Sequence, residues 1–302
     1  MLPPSATLCL IGFGEAGGIL GADLARRGCA LRSYDILLDA PATRDAMLAK
    51  LAAAGVDPAF SLAEAVRGAK LVISVVTADA AATVARDAAP YLQAGQVFLD
   101  LNSVSPDTKR GNAQRIEASG ASYVEAAVMA PVPPQRLQVP LLLAGARAAE
   151  LAPALGLLGL NATAVATDIG VASAIKMCRS VMIKGIEALT VECLLTARHY
   201  GAEDAVLASL AATFPGMGWT QQQPDYLISR VAEHGRRRAA ELREVAQTVA
   251  AAGLPPRMAS AVAASQDALV DAMAASGIVY DKTSDFSWRV LADQLHNKKT
   301  PS

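Results

Sequence analysis

The sequence predicts an α/β chain: a Rossmann-type, doubly wound parallel sheet followed by an all-α second domain, the two joined by a long helix. Three observations predict it. Short apolar runs alternate with helical stretches through the first half, a glycine motif stands between the first run and the first helix, and strand signals stop beyond Gly170. A chain of 302 residues has room for two domains with their own cores, assigned here to residues 1–169 and 170–302.

The first unit is Thr7 to Asp35. Leu8 to Ile11 reads as a buried strand, Gly12, Gly14 and Gly17 as the turn, and Ala16, Ile19, Leu20 and Leu24 as a helix face; a second strand ends at Tyr34-Asp35. The spacing Gly12-x-Gly14-x-x-Gly17 serves a tight turn, close approach of a pyrophosphate to main-chain N–H groups, and tight helix-to-strand packing. Three glycines so spaced also occur in ordinary turns, but here the strand before, the helix after and the acid at the next strand end all agree. Asp35, eighteen residues past Gly17, is placed to accept hydrogen bonds from adenosine ribose hydroxyls. It also repels a 2′-phosphate, and Ile36, Leu37 and Leu38 supply no arginine to receive one. NAD is therefore the expected cofactor, with NADP as the alternative, and the loop residues Gly12, Phe13, Gly14, Glu15, Ala16 and Gly17 are its expected cradle.

Helices follow at Thr43 to Ala54 and Leu62 to Val66, then a strand at Leu71 to Val76 whose unbroken Leu, Val and Ile suit a sheet covered on both faces. Ala78 to Leu92 reads as a helix, Val97 to Leu101 as a strand, and Pro106 to Ser119 as a helix with proline near its start. Tyr123 to Val128, Val139 to Ala144 and Thr163 to Ala166 complete the strands. Beyond Gly170, Val171 to Tyr200 has only Gly185 as a breaker and forms the linking helix; Ala202 to Thr213, Asp225 to Glu233, Arg237 to Ala252 and Pro256 to Ala275 continue as helices. The tail from His296 to Ser302 reads as disordered.

Composition narrows the function. Hydrophobic residues make up 53% with aromatics only 4%, which suits helices packed through alanine, and a net charge of −1 argues against nucleic acid and anionic membrane surfaces. The run Arg236 to Arg238, followed by Glu241 and Glu244, reads as a solvated helix face. Cys9, Cys29, Cys178 and Cys193 form no CxxC pair and read as buried free thiols of a cytoplasmic protein. No basic leader precedes the first strand, and Leu151 to Thr167 is interrupted by Pro153, Gly156, Gly159 and Asn161, so neither a signal peptide nor a membrane span is expected. His199, His234 and His296 lack partners at ligand spacing, and no metal is expected.

Ligands of open α/β sheets bind beyond the carboxyl ends of the strands. That singles out Val76 and Thr77, Asn102 and Ser103, Glu125 to Pro134, and the start of the long helix around Lys176. The glycine motif, DLNSVSPDTKR at 100–110, VEAAVMAPVPPQRLQVPLLLAGA at 124–146 and GVASAIKMCRS at 170–180 resemble, in order and spacing, the β-hydroxyacid dehydrogenase superfamily of 3-hydroxyisobutyrate and 6-phosphogluconate dehydrogenases. The segment HGRRRAAELREVAQTVAAAGLPPRM resembles a phosphogluconate-dehydrogenase-like branch with its own C-terminal domain.

The resemblance implies that Lys176 is the catalytic lysine, exchanging a proton with the substrate oxygen while hydride passes between the adjoining carbon and the nicotinamide. Such a lysine needs a pKa lowered by burial and cationic neighbours; the other reading is a solvated helix lysine, against which stand the apolar Ala174, Ile175, Met177 and Cys178. Ser180 stands where the family has an asparagine, and Arg179 is placed either to grip a carboxylate or to pair with an acid. Asn102 and Ser103 match family positions near nicotinamide and substrate, or else act as loop caps. Where the family usually has Ser-Gly-Gly, Met129-Ala130-Pro131 removes one N–H donor and makes the substrate segment less polar. The glutamate of the decarboxylating relatives falls at Ile183, which disfavours 6-phosphogluconate. A second family lysine is loosely replaced by Arg237 or Arg238. The implied protein is an oxidoreductase of a small 3-hydroxy acid or sugar-acid-like compound, a homodimer through its helical domain. The alternatives are a ketone or imine reductase and a dinucleotide-sensing protein. Trp219 lines a pocket or packs; Asp281, Lys282, Thr283 and Trp288 are candidates for reaching a partner subunit.

Overall fold

The computed structural model describes residues 7–297; part of the tail expected to be disordered, residues 298–302, lies outside them. The chain forms two compact units, Met1–Met177 and Cys178–Ser302.

The first unit alternates strands and helices: β1 (Leu8–Ile11), α1 (Glu15–Arg26), β2 (Leu31–Tyr34), α2 (Pro41–Ala54), β3 (Asp57–Pro58), α3 (Leu62–Val66), β4 (Leu71–Ser74) and α4 (Ala81–Ala88). It continues with β5 (Val97–Asp100), α5 (Pro106–Glu117), β6 (Ser122–Val128), α6 (Val132–Gln135), β7 (Leu141–Ala144), α7 (Ala148–Leu157) and β8 (Ala162–Ala166), and ends in the start of α8 (Val171–His199). The eight strands form one sheet in the order β3-β2-β1-β4-β5-β6-β7-β8. Successive residues of the central strands face opposite layers: Leu8 and Leu10 pack with Leu20, Leu24 and Leu51, while Cys9 and Ile11 pack with Val66, Ala85 and Ile116. This two-sided burial is what the unbroken apolar strands require.

Several features differ from the sequence reading. The sheet is not wholly parallel: β7 runs antiparallel to β6, and the segment between them holds only the short α6 and a 3-10 turn. β8 then pairs parallel with β7. The two-residue β3 is too short to leave a pattern, and α7 forms despite Pro153 inside it. Of the cysteines, only Cys9 is fully buried, and burial pushes its thiol up to about 12; Cys29 is half-buried, and Cys178 and Cys193 are exposed.

The second unit consists of the remainder of α8 with α9 (Glu203–Thr213), α10 (Gln223–Ala251), α11 (Arg257–Ala275) and α12 (Trp288–Asn297). What reads in the sequence as two helices broken near Gly235 is the single helix α10. Gly235 is there for packing: a Cβ would come within 2.6 Å of Val270 Cγ2 and 2.7 Å of the Gln266 carbonyl, so α10 and α11 approach closely only with glycine. Trp219 and Trp288 both pack in the core with Leu194, Ile228, Val231 and Leu291, so neither lines a surface. Asp281, exposed, closes a local turn, accepting from the N–H and hydroxyl of Thr283, and the exposed Lys282 pairs with Glu233 at 2.8 Å. Arg238 is buried and makes a two-pronged ion pair with Glu187, whereas Arg237 is exposed beside Glu241. Lys184, buried against Glu241 at 2.6 Å, has its pKa lowered by desolvation. Arg179 is exposed and Ser180 half-buried on this part of α8.

Among the described residues no helix is long and apolar enough to cross a membrane, and no group of three or more His, Cys, Asp or Glu is placed to hold a metal ion.

Candidate active site

The turn from β1 into α1 leaves Gly12 at φ +96°, a conformation that side-chain-bearing residues rarely adopt, and a Cβ there would meet the Val75 carbonyl at 2.5 Å. A Cβ on Gly17 would strike the Gly12 carbonyl, so helix and strand close only with glycine at both places. Gly14 differs: it is exposed, and a Cβ would meet nothing within 4 Å. It is the N-cap of α1, and no side chain caps that end. The first-turn N–H groups of Glu15, Ala16 and Gly17 therefore retain donor capacity beside open space, an arrangement that fits a pyrophosphate.

Asp35 follows β2, is 9% exposed, and uses both oxygens: Oδ2 accepts from the N–H of Phe13 at 2.6 Å and Oδ1 from the N–H of Leu37 at 3.0 Å. The acid thus fixes the glycine loop, and its remaining lone pairs can take a ribose hydroxyl. Beside it Ile36 and Leu37 are exposed, and Arg44 is engaged with the carbonyls of Leu38 and Asp39. These residues fit the adenosine ribose of a dinucleotide.

The ends of β4 and β5 form the next part of the same edge. Asn102 is buried and ties the two strands together: its Oδ1 accepts from the N–H of Val76 at 2.7 Å and its Nδ2 donates to Ser74 Oγ at 2.9 Å. These two bonds orient the Asn102 amide and leave one N–H and one lone pair of it to a ligand. Val76 stands against Gly12, its Cγ1 2.8 Å from where a Cβ would be, and Thr77 is exposed at the start of the following turn. Asp100 in turn holds the N–H of Asn102 at 2.9 Å and is paired with Lys109 at 2.9 Å, both side chains being buried. Ser103 emerges half-buried from this corner, and the Lys176 ammonium donates to its Oγ.

Lys176 owes its place to the start of α8. Glu125, wholly buried in β6, reaches across with Oε1 to accept from the N–H groups of Gly170 at 2.7 Å and Ala172 at 3.1 Å. A carboxylate at a helix N-terminus satisfies orphan donors and opposes the dipole. The first turn of α8 is thereby fixed to the sheet, and Lys176 one turn later is brought over Ser103. Lys176 is half-buried; the surroundings are more open than their composition suggests, since Met177 is buried but Ile175 and Cys178 are exposed.

Met129, Ala130 and Pro131 follow β6. The Met129 N–H is spent on the Pro140 carbonyl at 2.9 Å, Pro131 has none, and the Met129 side chain packs with Ala127, Ala144 and Ala172. Arg136, whose φ of 55° is unusual for a residue with a side chain, ends this loop and is clasped by Asp23 of α1 at 2.6 and 2.9 Å. Ionic hydrogen bonds thus anchor the proline-rich segment to the helix that carries the glycine motif. Of these supports, Glu125 leaves a sequence signal, a charge inside an apolar strand. The Asp23 clasp leaves none.

Residues 7–167 match the NAD binding domain of 6-phosphogluconate dehydrogenase, and residues 197–269 match a domain of unknown function (DUF1932). A conserved hypothetical protein from Sinorhizobium meliloti 1021 is 40% identical, over 99% of this chain and 97% of its own, with a TM-score of 0.76. The 3-hydroxyisobutyrate dehydrogenase of Mycobacterium tuberculosis, determined with L-serine, is 17% identical over 98% of this chain and 100% of its own, with a TM-score of 0.71. A V8 variant of the imine reductase from Myxococcus stipitatus, in complex with NAD+, is 20% identical over 96% and 99%, with a TM-score of 0.57. At these identities the last two share the fold.

Proposed function

We propose that this chain, which belongs to the family of the NAD binding domain of 6-phosphogluconate dehydrogenase, interconverts the hydroxyl and carbonyl of a small 3-hydroxy acid or sugar-acid-like compound. The observation that carries this reading is the Lys176 ammonium resting on Ser103 at the strand-end edge that also bears the glycine loop. When bound, the nicotinamide dinucleotide supplies the hydride acceptor or donor. Gly14 and the first-turn amides of α1 hold its phosphates, and Asp35 holds its ribose. Lys176 takes the proton from the substrate hydroxyl during oxidation and returns it during reduction; Ser103 orients both the ammonium and the substrate oxygen.

This reading favours NAD over NADP, since a 2′-phosphate would lie beside the Asp35 carboxylate and the Arg44 guanidinium is engaged with the carbonyls of Leu38 and Asp39. NADH is expected to support turnover at least about tenfold better than NADPH, one tenfold step corresponding to about 1.4 kcal/mol of like-charge cost. Rates measured with both cofactors at equal concentration check this, and equal rates would refute it.

A second reading has its own support. Met129-Ala130-Pro131 offers the substrate few donors, and the imine reductase from Myxococcus stipitatus shares the fold. On that reading the substrate is an uncharged ketone or imine. Screening with NADH against 3-oxo acids, plain ketones and cyclic imines separates the two: preference for the acids supports the first, preference for uncharged compounds the second. Conversion of none would favour a sensing role.

The protein is further proposed to act as a homodimer. Met182, Ile183 and Leu189 of α8 are exposed apolar side chains on one helix, which a second copy would cover. Light scattering at micromolar concentration is expected to give twice the chain mass, and a monomer mass would count against the proposal.

A further inference from the structure

Lys50 lies on α2, far in sequence from the glycine motif, yet its ammonium donates to two consecutive carbonyls of that motif: Phe13 at 2.6 Å and Gly14 at 2.7 Å. It also stands 5.6 Å from the centre of the Phe13 ring. Gly18 makes the approach feasible, since a Cβ there would come within 3.1 Å of Lys50 Cε and 3.3 Å of Nζ. The side chain thus crosses α1 over Gly18 and ends on the phosphate-facing turn.

In a trans peptide the carbonyl and the next N–H point in opposite directions. Holding the Phe13 carbonyl therefore turns the Gly14 N–H away from Lys50, and holding the Gly14 carbonyl does the same for Glu15 N–H. These two amides open the uncapped end of α1, beside the space that Gly14 leaves. A cation on the carbonyl also polarises the peptide and strengthens its N–H as a donor. From the other side, Asp35 accepts the Phe13 N–H at 2.6 Å, so the turn is held between a carboxylate and an ammonium.

We propose that Lys50 is a positioning residue for the cofactor diphosphate: it does not touch the nucleotide but fixes the orientation of the two amides that do. The inference rests on the dinucleotide reading and adds a residue and a ligand group to it. Without Lys50 the Phe13 carbonyl loses the ammonium that orients it and the Gly14 carbonyl keeps only the Gly18 N–H at 3.2 Å, and the loss falls on ligands that carry a diphosphate.

The test is the affinity of wild type, Lys50→Met and Lys50→Arg for NADH, ADP and adenosine, by fluorescence for NADH and by NMR titration for the other two. Lys50→Met is expected to weaken NADH and ADP by about fivefold to twentyfold, the value of one charge-assisted hydrogen-bond pair, and adenosine by less than about twofold. Lys50→Arg, keeping the charge, is expected to recover most of the loss. Lys50 is exposed, so melting of the unliganded variants should stay close to wild type. Unchanged ADP affinity in Lys50→Met overturns the proposal, as does an equal loss for adenosine, which would mean general disturbance of the domain. Failure of wild type to bind NADH would instead sink the dinucleotide reading beneath it.

Discussion

Lys176→Ala is expected to lower kcat by about 10²–10⁴-fold on the best hydroxy acid found, while NADH affinity stays within about twofold, because positioned proton transfer contributes on that scale. The expectation follows from geometry. The ammonium sits on Ser103 at the mouth of the sheet, and Glu125 anchors the helix start that carries it, so proton donor and substrate oxygen meet with little reorganisation. Lys176→Arg discriminates between charge and proton exchange: a guanidinium keeps the positive charge but does not release its proton near neutral pH. It is expected to be as poor as alanine. Ser103→Ala should cost less, since it removes an orienting hydroxyl and leaves the acid–base group. Stopped-flow and steady-state kinetics on the same preparations separate loss of the chemical step from loss of cofactor binding. Turnover by Lys176→Ala within a few-fold of wild type would leave the proposed chemistry without its acid and base.

Much of this arrangement is local and therefore legible in the sequence. Gly12, Gly14, Gly17 and Asp35 lie within one strand–helix–strand unit, and their spacing is set by the backbone conformations the turn needs. The apolar strands were likewise readable, because two-sided burial leaves an unbroken Leu, Val and Ile pattern. What escaped is set by distant partners. Gly235 looks like a breaker until α11 is laid against α10, and only then is its missing side chain a packing requirement. The reversal of β7 leaves no mark in the strand, whose apolar Leu141 to Ala144 would read the same in either direction. Trp288 reads in the sequence as a candidate for reaching a partner subunit; within the folded unit it is core, with its backbone N–H held by Asp225 at 2.8 Å. Lys50 carries no signal at all, as an exposed lysine on an amphipathic helix has many ordinary uses. Asn102 illustrates a mixed case: the motif marks the place, but the folded strands show its amide groups joined to Ser74 and Val76.

Lys109→Met is expected to destabilise the first unit by about 3–5 kcal/mol, the cost of leaving a buried carboxylate without its cation. Asp100 is wholly buried and Lys109 is 1% exposed. The ammonium donates to both the carbonyl and Oδ1 of Asp100, at 2.8 and 2.9 Å, while Oδ2 accepts from Tyr123 at 2.7 Å and from Asn112 at 3.3 Å. Burial, and then the Asp100 charge, hold the Tyr123 hydroxyl well above its ordinary pKa, so it stays a neutral donor and cannot replace the lost cation. The double variant Asp100→Asn with Lys109→Met removes both charges at once and is expected to recover most of the stability, since the amide oxygen can still accept from the Asn102 N–H while its NH2 donates to the Tyr123 oxygen. Urea unfolding followed by circular dichroism measures this. Both tryptophans lie in the second unit, so their fluorescence reports separately on whether that unit is disturbed. Because Oδ1 of Asp100 also holds the N–H of Asn102, the single variant should reach the active site as well, loosening the corner from which Ser103 meets Lys176. Its kcat is therefore expected to fall even at temperatures where the fold is intact. A loss under about 1 kcal/mol in Lys109→Met, or a double variant no more stable than the single, would mean that the pair contributes little to holding this edge of the sheet.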